Sequence, residues 1–309
     1  MKTIAVTGIA GFIGSNLADR LLAQGYRVVG IDNLAYGVRE QVPDGAELHV
    51  ADIRDAELAN LLDGVDVLFH LAAKNCIADC QSDPVETADI NVTGTVNVFE
   101  AARRAGVGKV VYAESSALYE GSQTLPTPEN DVRPESFYAA SKLAGMAFAD
   151  AYRRFHGMRT TALRYFCVYG PRQDYRRSIP PVMSAFIIKL LRGERPVIYG
   201  TGEKRRDFVY VDDVNDFHLR CIDDARTDGR TFNLGSGVNY SIDELYRIVA
   251  ELLGSNVEPE RRPDLPGEAQ ANLADVTAAR ALGWEPRTSI REGLRRSIDF
   301  IAGRLSSIA

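Results

Sequence analysis

Tyr138 and Lys142 stand four residues apart in a segment whose pattern predicts a helix over about 137–155. Side chains at this spacing lie on one face of a helix, so both can reach a common point. A phenol is a poor base at neutral pH because its ordinary pKa is about 10, but a neighbouring ammonium favours the phenolate. The pair therefore has the chemistry of a general base for an alcohol or sugar hydroxyl.

Two serines precede this helix in the chain. Ser115 and Ser116 follow a predicted strand over 109–113. Because open α/β sheets bind ligands at the carboxyl ends of their strands, a serine hydroxyl here can hold the reacting oxygen beside the tyrosine. Taken singly, the serine pair and the Tyr-x-x-x-Lys spacing are both common, and each has a purely structural explanation.

A glycine-rich turn follows the first predicted strand, where residues 8–14 read Gly-Ile-Ala-Gly-Phe-Ile-Gly. Glycines at this spacing allow a tight turn, the approach of a pyrophosphate to backbone N–H groups, and close packing of a helix on the sheet. The residues of this turn predicted to contact a dinucleotide are Gly8, Gly11, Phe12, Ile13 and Gly14.

Asp32 ends the second predicted strand, eighteen residues after Gly14. A carboxylate at this point can accept hydrogen bonds from both ribose hydroxyls of an adenosine and would repel a 2′-phosphate, which favours NAD over NADP. The alternative is that Asp32 and its neighbour merely end a strand. If NAD binds, the further predicted contacts at the strand ends are Asn33, Asp52, Ile53, Leu71, Ala72 and Ala73. The positive charge of its nicotinamide would also favour the Tyr138 phenolate.

Short β-branched runs alternate with amphipathic segments through the first half of the chain, which is typical of βαβ units and a parallel sheet. The predicted strands are 3–7, 27–31, 47–50, 66–71, 109–113 and 160–165, with 230–234 as a further buried strand. Two more helices are predicted, one from the glycine turn to Gly25 and one over about 84–105. After Pro171 this regular alternation breaks down.

These elements predict an α/β fold, a Rossmann-type doubly wound parallel sheet with a smaller, interleaved C-terminal α/β lobe that binds substrate. We assign residues 1–170 to the NAD-binding domain, with strand and helix contributions from about 205–235. Residues 171–309 form mainly the second lobe.

Composition excludes several classes of protein. The 309 residues are 45% hydrophobic with a net charge of -6 and no block of Lys and Arg, so we expect no nucleic-acid partner. The first residues become polar too early for a signal peptide and no apolar run reaches the ~20 residues of a membrane helix, so we expect a cytoplasmic protein with no membrane partner. Four scattered cysteines and four histidines without ligand spacing predict reduced thiols and no metal.

In this order along the chain, the glycine turn, strand-end Asp, strand-end Ser and helical Tyr and Lys resemble the extended short-chain dehydrogenases/reductases. The resemblance is to their nucleotide-sugar epimerase and dehydratase branch, and most closely to the UDP-hexose 4-epimerases. The segments that carry it are 7–14, 32–34, 70–73, 91–95, 138–142, 163–166, 168–173 and 206–214.

The resemblance implies roles for the candidate residues. Tyr138 would take the proton of a C4 hydroxyl, Ser115 would steady the C4 oxygen with Ser116 beside it, and Lys142 would hold the nicotinamide ribose. It adds Asn91 and Tyr165 to the NAD contacts. Dehydratases and decarboxylases of the branch carry a glutamate two residues after the strand-end Ser or Thr, and this chain has Ala117 there, which favours C4 epimerisation.

The same resemblance outlines a binding site for a nucleotide sugar, which in our interpretation is UDP-linked. Its implied substrate contacts are Ser115, Ser116, Tyr138, Cys167, Tyr199, Arg206 and Asn272. Cys167 stands where the epimerases usually carry Asn, and Leu265 where they usually carry Arg, so the nucleotide is less well defined than the reaction. Asn272 is smaller than the Tyr that restricts some members to plain hexoses, which predicts that N-acetyl sugars are accepted.

A homodimer formed by a four-helix bundle is the implied assembly, through the predicted helices 84–105 and 137–155. Three alternatives stay open. The scaffold could serve UDP-glucuronate epimerisation, it could serve a dehydratase, lyase or reductase, or the chain could be a catalytically silent NAD-binding regulator. A reductase would consume reduced cofactor, whereas an epimerase would not.

Overall fold

A computed structural model describes residues 1–177, 180–264 and 269–306 of the protein. Its strands are β1 (Thr3–Thr7), β2 (Arg27–Asp32), β3 (Glu47–Val50), β4 (Val67–His70), β5 (Lys109–Ser115), β6 (Thr160–Tyr165), β7 (Cys167–Tyr169), β8 (Val197–Tyr199), β9 (Arg205–Tyr210), β10 (Arg230–Leu234), β11 (Asn239–Ser241) and β12 (Glu260–Arg262). Its α-helices are α1 (Phe12–Ala23), α2 (Ile77–Ser82), α3 (Pro84–Ala88), α4 (Thr95–Arg104), α5 (Phe137–His156), α6 (Val182–Leu191), α7 (Val211–Asp223), α8 (Ile242–Leu253), α9 (Thr277–Arg280) and α10 (Ile290–Ser306).

Seven strands form one parallel sheet in the order β10-β6-β5-β4-β1-β2-β3. The strand order reverses at β1, which lies between β4 and β2, so this sheet edge offers the crevice in which doubly wound folds bind their ligands. Apolar faces of α1 and α7 bury one side of the sheet, and those of α4 and α5 bury the other. The predicted Rossmann-type fold class is confirmed.

Helix ends follow the local sequence. Helix α1 begins after Gly11, whose lack of a side chain leaves the first N–H groups without a side-chain cap. Helix α5 begins after Ser136, whose hydroxyl accepts a hydrogen bond from Ala139 N at 3.1 Å, and it ends at Gly157 in a left-handed conformation. These two helices carry the glycine turn and the Tyr138–Lys142 pair to the same sheet edge.

The predicted helix over 84–105 is not one regular α-helix. Asp83 caps α3 by accepting a hydrogen bond from Glu86 N, and residues 89–94 form a π-helical turn before α4. The predicted bounds are therefore confirmed, since α3, this turn and α4 follow one another without a break from Pro84 to Arg104, and only the π-helical turn within them was not predicted.

The C-terminal lobe has its own core beside the large sheet. It holds a three-stranded sheet in the order β11-β9-β7 and a parallel β8–β12 pair. Helices α6, α8 and α10 pack around these strands. The division of the chain near residue 170 stays a prediction, since β10 comes from beyond it and completes the large sheet.

Within the described residues, no helix is long and apolar enough to cross a membrane. The same residues contain no group of three or more His, Cys, Asp or Glu side chains that could hold a metal ion.

Candidate active site

A cleft of about 1360 Å³ runs along the carboxyl ends of the parallel strands and continues under the C-terminal lobe. Most predicted site residues line it. They are Gly8, Gly11, Phe12, Ile13, Gly14, Asp32, Asn33, Asp52, Ile53, Leu71, Ala72, Ala73, Ser115, Ser116, Tyr138, Lys142, Tyr165, Cys167, Arg206 and Asn272.

The glycine turn is closed so tightly that side chains are excluded from it. Gly8 has φ +74°, and its N–H donates to Ile31 O at 2.8 Å. A methyl group on Gly14 would lie 2.2 Å from Gly8 O, well inside any contact distance. The turn thus brings backbone N–H groups and the N-terminus of α1 to the cleft, which is the arrangement that binds a pyrophosphate.

The Asp32 carboxylate lies at the end of β2 and is 8% exposed. It accepts hydrogen bonds from Ala10 N at 3.0 Å and Leu34 N at 2.8 Å, and burial raises its pKa. A methyl group on Gly37 would come within 2.8 Å of it. Close backbone on both sides fixes the carboxylate where a ribose would approach.

Beside it, Asn33 and Asp52 form a small polar platform. Asn33 Nδ2 donates to Asp52 Oδ2 at 2.8 Å, and Arg54 donates twice to the same carboxylate, each time at 2.8 Å. The Arg54 guanidinium lowers the pKa of Asp52. Arg54 also forms an ion pair with Asp89 at 2.5 Å, so the carboxylates of Asp52 and Asp89 hold its guanidinium between them.

His70, at the end of β4, is held by hydroxyls rather than exposed to the cleft. Its Nδ1 lies 2.8 Å from Thr7 Oγ1 and its Nε2 3.0 Å from Thr95 Oγ1. Burial and the nearby Lys142 charge lower its pKa to about 3, so the ring is neutral. Thr7 Oγ1 also accepts from Ala72 N at 3.2 Å, which fixes the small residues after β4 against Gly8.

Ser115, Tyr138 and Lys142 converge at the centre of the cleft. Ser115 ends β5 and its side chain accepts a hydrogen bond from Ala117 N at 3.1 Å, and both Ser115 and Tyr138 line the cleft. Lys142 Nζ donates to Ala113 O at 3.1 Å and lies 5.8 Å from the centre of the Tyr138 ring. The predicted constellation is therefore assembled from one strand end and one helix face.

Burial shifts the acidities of this group. It raises the pKa of Tyr138 to about 12, and the neighbouring Ser115 side chain acts in the opposite direction. Burial also lowers the pKa of Lys142 to about 8. In the protein alone, desolvation therefore favours the protonated phenol. The effect of the nicotinamide charge on this phenol stays a prediction.

Cys167 and Asn272 meet where the C-terminal lobe covers the cleft. Asn272 Nδ2 lies 3.9 Å from Cys167 Sγ, and Asn272 Oδ1 accepts from Asp207 N at 2.7 Å. Burial raises the pKa of the Cys167 thiol, which is the opposite of what a nucleophile needs. Arg206, the next residue before Asp207, also lines the cleft, as predicted for a diphosphate contact.

Two predicted residues lie away from the cleft. Asn91 is buried, and its amide donates to Lys74 O at 2.9 Å and to Ser141 Oγ at 3.0 Å, so it ties the segment after β4 to α5. Tyr199 is 39% exposed in β8, where it pairs with Arg262 of β12. Both predictions came from the family resemblance, and local packing has given these side chains other neighbours. The predicted departure at Leu265 lies outside the described residues.

Other cleft residues carried no signal in the sequence. Lys74 is buried and pairs with Glu86, and Tyr36 lines the cleft close to Asp32. Glu120 accepts from Ser136 N at 2.7 Å and thereby holds the start of α5. Glu114 also lines the cleft, between the Lys142 acceptor and Ser115. Their types fit no motif, and only the fold brings them together.

Comparison with known proteins identifies the family and relatives of this chain. The model of the NAD dependent epimerase/dehydratase family matches residues 4–235. A UDP-glucose 4-epimerase of Mycolicibacterium smegmatis is 40% identical, over 98% of this chain and 99% of its own. A UDP-glucuronate 4-epimerase of Thermodesulfobacterium geofontis is 32% identical, over 96% and 94%. The crystal structure of UDP-glucose 4-epimerase from Thermotoga maritima with UDP-glucose superposes with a TM-score of 0.95 at 34% identity, covering 98% and 99%.

Proposed function

This chain belongs to the NAD-dependent epimerase/dehydratase family, and from that premise we propose that it inverts C4 of a UDP-hexose, interconverting UDP-glucose and UDP-galactose. The observation that carries the proposal is the meeting of Ser115, Tyr138 and Lys142 in one cleft with the glycine turn. A hydroxyl, a phenol and an ammonium in this arrangement suit the reversible oxidation of a secondary alcohol.

NAD is the cofactor of this family, and the residues present fit it. Helix α1 begins after Gly11 with no side-chain cap on its first N–H groups, which suits the pyrophosphate, and the buried Asp32 carboxylate suits the adenosine ribose. Lys142 would contact the ribose of the nicotinamide. When bound, NAD supplies reversible hydride acceptance and the positive charge that lowers the pKa of a nearby phenol.

In the proposed reaction the chain moves one proton. Tyr138 takes the proton of the C4 hydroxyl as the C4–H bond is oxidised, and it returns that proton once C4 is reduced from the opposite face. Ser115 holds the C4 oxygen by a hydrogen bond throughout. Rotation of the 4-keto sugar between the two half-reactions needs room, and the large cleft provides it.

Ala117 favours epimerisation over elimination. It lines the cleft two residues after Ser115 and carries no group that could move a proton at C5 or C6. Dehydration would require such a group, whereas inversion at C4 does not.

We infer that N-acetyl sugars are also substrates. Asn272 lines the cleft and its carboxamide is fixed by Asp207 N, so it does not extend into the cleft as a tyrosine ring would. UDP-N-acetylglucosamine should therefore react in addition to UDP-glucose.

A specific observation favours a second candidate substrate, UDP-glucuronate. Arg176 and Arg177 line the cleft, and Arg176 is exposed there. Arg177 Nε already pairs with Asp174 at 2.7 Å, which leaves Arg176 as the better partner for a sugar carboxylate. The reaction at C4 would be the same.

The proposal includes a homodimer. Phe137, Phe148 and Phe155 recur on one face of α5 and are 51%, 41% and 75% exposed, and Val85 on the adjacent α3 is 79% exposed. Two copies that bury these faces would form a four-helix bundle. A cytoplasmic location stays a prediction.

Product identification tests the function. The purified protein is incubated with UDP-, dTDP- and GDP-sugars, including the N-acetyl and glucuronate forms, and the products are separated while absorbance at the reduced-cofactor band is followed. Inversion without net cofactor reduction is expected. Stoichiometric cofactor consumption would indicate a reductase, and no conversion of any sugar by a protein that retains NAD would indicate a regulator.

Tyr138→Phe is the matched variant for this assay. It removes only the hydroxyl, so bound NAD should remain while turnover is lost. Substantial remaining activity would exclude Tyr138 as the proton acceptor.

A further inference from the structure

Behind Ser115 and Lys142, on the side of β5 that faces α5, lies a buried ion pair. Glu114 and Arg164 are register partners on the neighbouring strands β5 and β6, and both are 2% exposed. Arg164 Nε donates to Glu114 Oε2 at 2.5 Å. Removing two charges from water is costly, so a pair this deeply buried requires further hydrogen bonds to be stable.

Those bonds reach the elements that carry the reacting groups. Arg164 donates to Tyr119 Oη at 2.8 Å, just after Ser116, and its NH2 lies 3.1 Å from Met146 Sδ, one turn beyond Lys142 on α5. Tyr112 Oη donates to the other carboxylate oxygen of Glu114 at 3.0 Å. The pair is thus fastened to both the strand end and the helix.

Glu114 also occupies a particular place in the chain. Its predecessor, Ala113, supplies the carbonyl that accepts from Lys142 Nζ, and its successor is Ser115. We propose that Glu114, held by Arg164, is a positioning residue that sets the strand end for Ser115 and supplies the negative charge beside Lys142. The proposal rests on the proposed function for its turnover test but not for its charge test.

The charge relation has a physical basis. The titratable and charged groups around Lys142 are Tyr138 on its own helix, His70 from β4, Cys80 from α2, and Glu114 from β5 with its partner Arg164 from β6 behind it. His70 is neutral, and burial raises the pKa values of Tyr138 and the Cys80 thiol. Glu114 is therefore the carboxylate in this set, and it opposes the loss of the Lys142 proton that burial favours.

Glu114→Gln tests this role against Tyr112→Phe. The first removes the charge and keeps the shape, while the second removes one hydrogen bond to the same carboxylate and no charge. Competitive acetylation across pH, read by mass spectrometry, reports the pKa of Lys142 without any substrate, with the half-exposed Lys189 as a reference. In turnover, the alkaline limb of the pH profile reports the same group.

We expect Glu114→Gln to move the Lys142 titration and the alkaline limb down by about one pH unit, as loss of a nearby charge in a shielded site does. The kcat should fall about tenfold or more with KM changed less than about threefold, since the reacting groups are displaced rather than the nucleotide contacts. Tyr112→Phe should leave the titration in place. Equal shifts in both variants, or none in Glu114→Gln, would overturn the proposal.

If Glu114→Gln does not fold because Arg164 is left unpaired, the double variant Glu114→Gln/Arg164→Met removes both charges. It should lower the Lys142 titration by a smaller amount, and an unchanged titration there would equally refute the role. A shifted titration in a protein that converts no sugar would retain this proposal and reject the proposed function.

Discussion

Replacing Gly14 by alanine should weaken NAD binding far more than it weakens the fold. The added methyl would lie 2.2 Å from Gly8 O. Since Cβ atoms essentially never come within 3.0 Å of another heavy atom, the turn must open by about 0.8 Å. The Gly8 oxygen cannot move away easily, because it belongs to the backbone and also accepts a hydrogen bond from Gly11 N at 3.0 Å.

The size of the effect follows from hydrogen-bond geometry. A bond of ~2.9 Å lengthened by that amount leaves hydrogen-bonding range. Each N–H bond to a charged phosphate contributes roughly 1.5–3 kcal/mol, so losing two costs about 3 kcal/mol or more, which is about a hundredfold in affinity. Stability should change less, since alanine in a helix gains up to ~1 kcal/mol over glycine and offsets part of the strain.

Gly303→Ala is the matched control. It lies in α10 with no neighbouring atom within 4 Å of an added methyl, so it should raise the melting temperature slightly and leave NAD affinity unchanged. Calorimetric titration of cofactor-stripped protein with NAD measures affinity, and thermal melting measures stability. An affinity for Gly14→Ala within about threefold of wild type would refute the reasoning, as would equal losses in the two variants.

Three further outcomes are expected. The kcat/KM of wild type should decline above about pH 8 as Lys142 loses its proton, and Lys142→Arg should remove that limb at reduced rate, whereas a wild-type profile flat to pH 10 would contradict the assignment. Asn272→Tyr should reduce turnover of UDP-N-acetylglucosamine at least about tenfold relative to UDP-glucose. Equal losses for both sugars would show that Asn272 does not determine which sugars are accepted. Phe155→Lys should convert a dimer to monomers in analytical ultracentrifugation, while Phe12 and the other residues of the cleft are unchanged. An unchanged sedimentation coefficient would reject the α5 interface.

Much of the large sheet was predictable because its inner strands are buried on both faces, although the edge strand β3 is partly exposed. Residues 3–7, 47–50, 160–165 and 230–234 were predicted as strands with the bounds that the structure has. Their β-branched runs contrast sharply with the intervening helices. The small sheet of β7, β9 and β11 was not predicted. Its strands β7 and β11 have only three residues each and partly exposed faces, which give no such contrast.

For the site, the order of the motifs along the chain was enough to predict that Asp32, Ser115 and Tyr138 lie in one cleft. Motif residues are tied to strand ends, and the fold brings those ends together. Glu114 and Arg164 could not be foreseen as partners, because their contact depends on the β5–β6 register. The raised pKa of Tyr138 could not be predicted for a similar reason, since desolvation depends on what covers the side chain.

The position of β10 in the large sheet bears on how this protein is made. Strand β6 is buried along its whole length, yet its outer partner lies some 65 residues further along the chain. As the polypeptide leaves the ribosome, β6 must stay an open hydrogen-bonding edge until residue 234 has emerged, and an open edge invites pairing with other chains. A fragment ending at residue 170 would keep that edge permanently, so the nucleotide-binding half should aggregate when expressed without the rest.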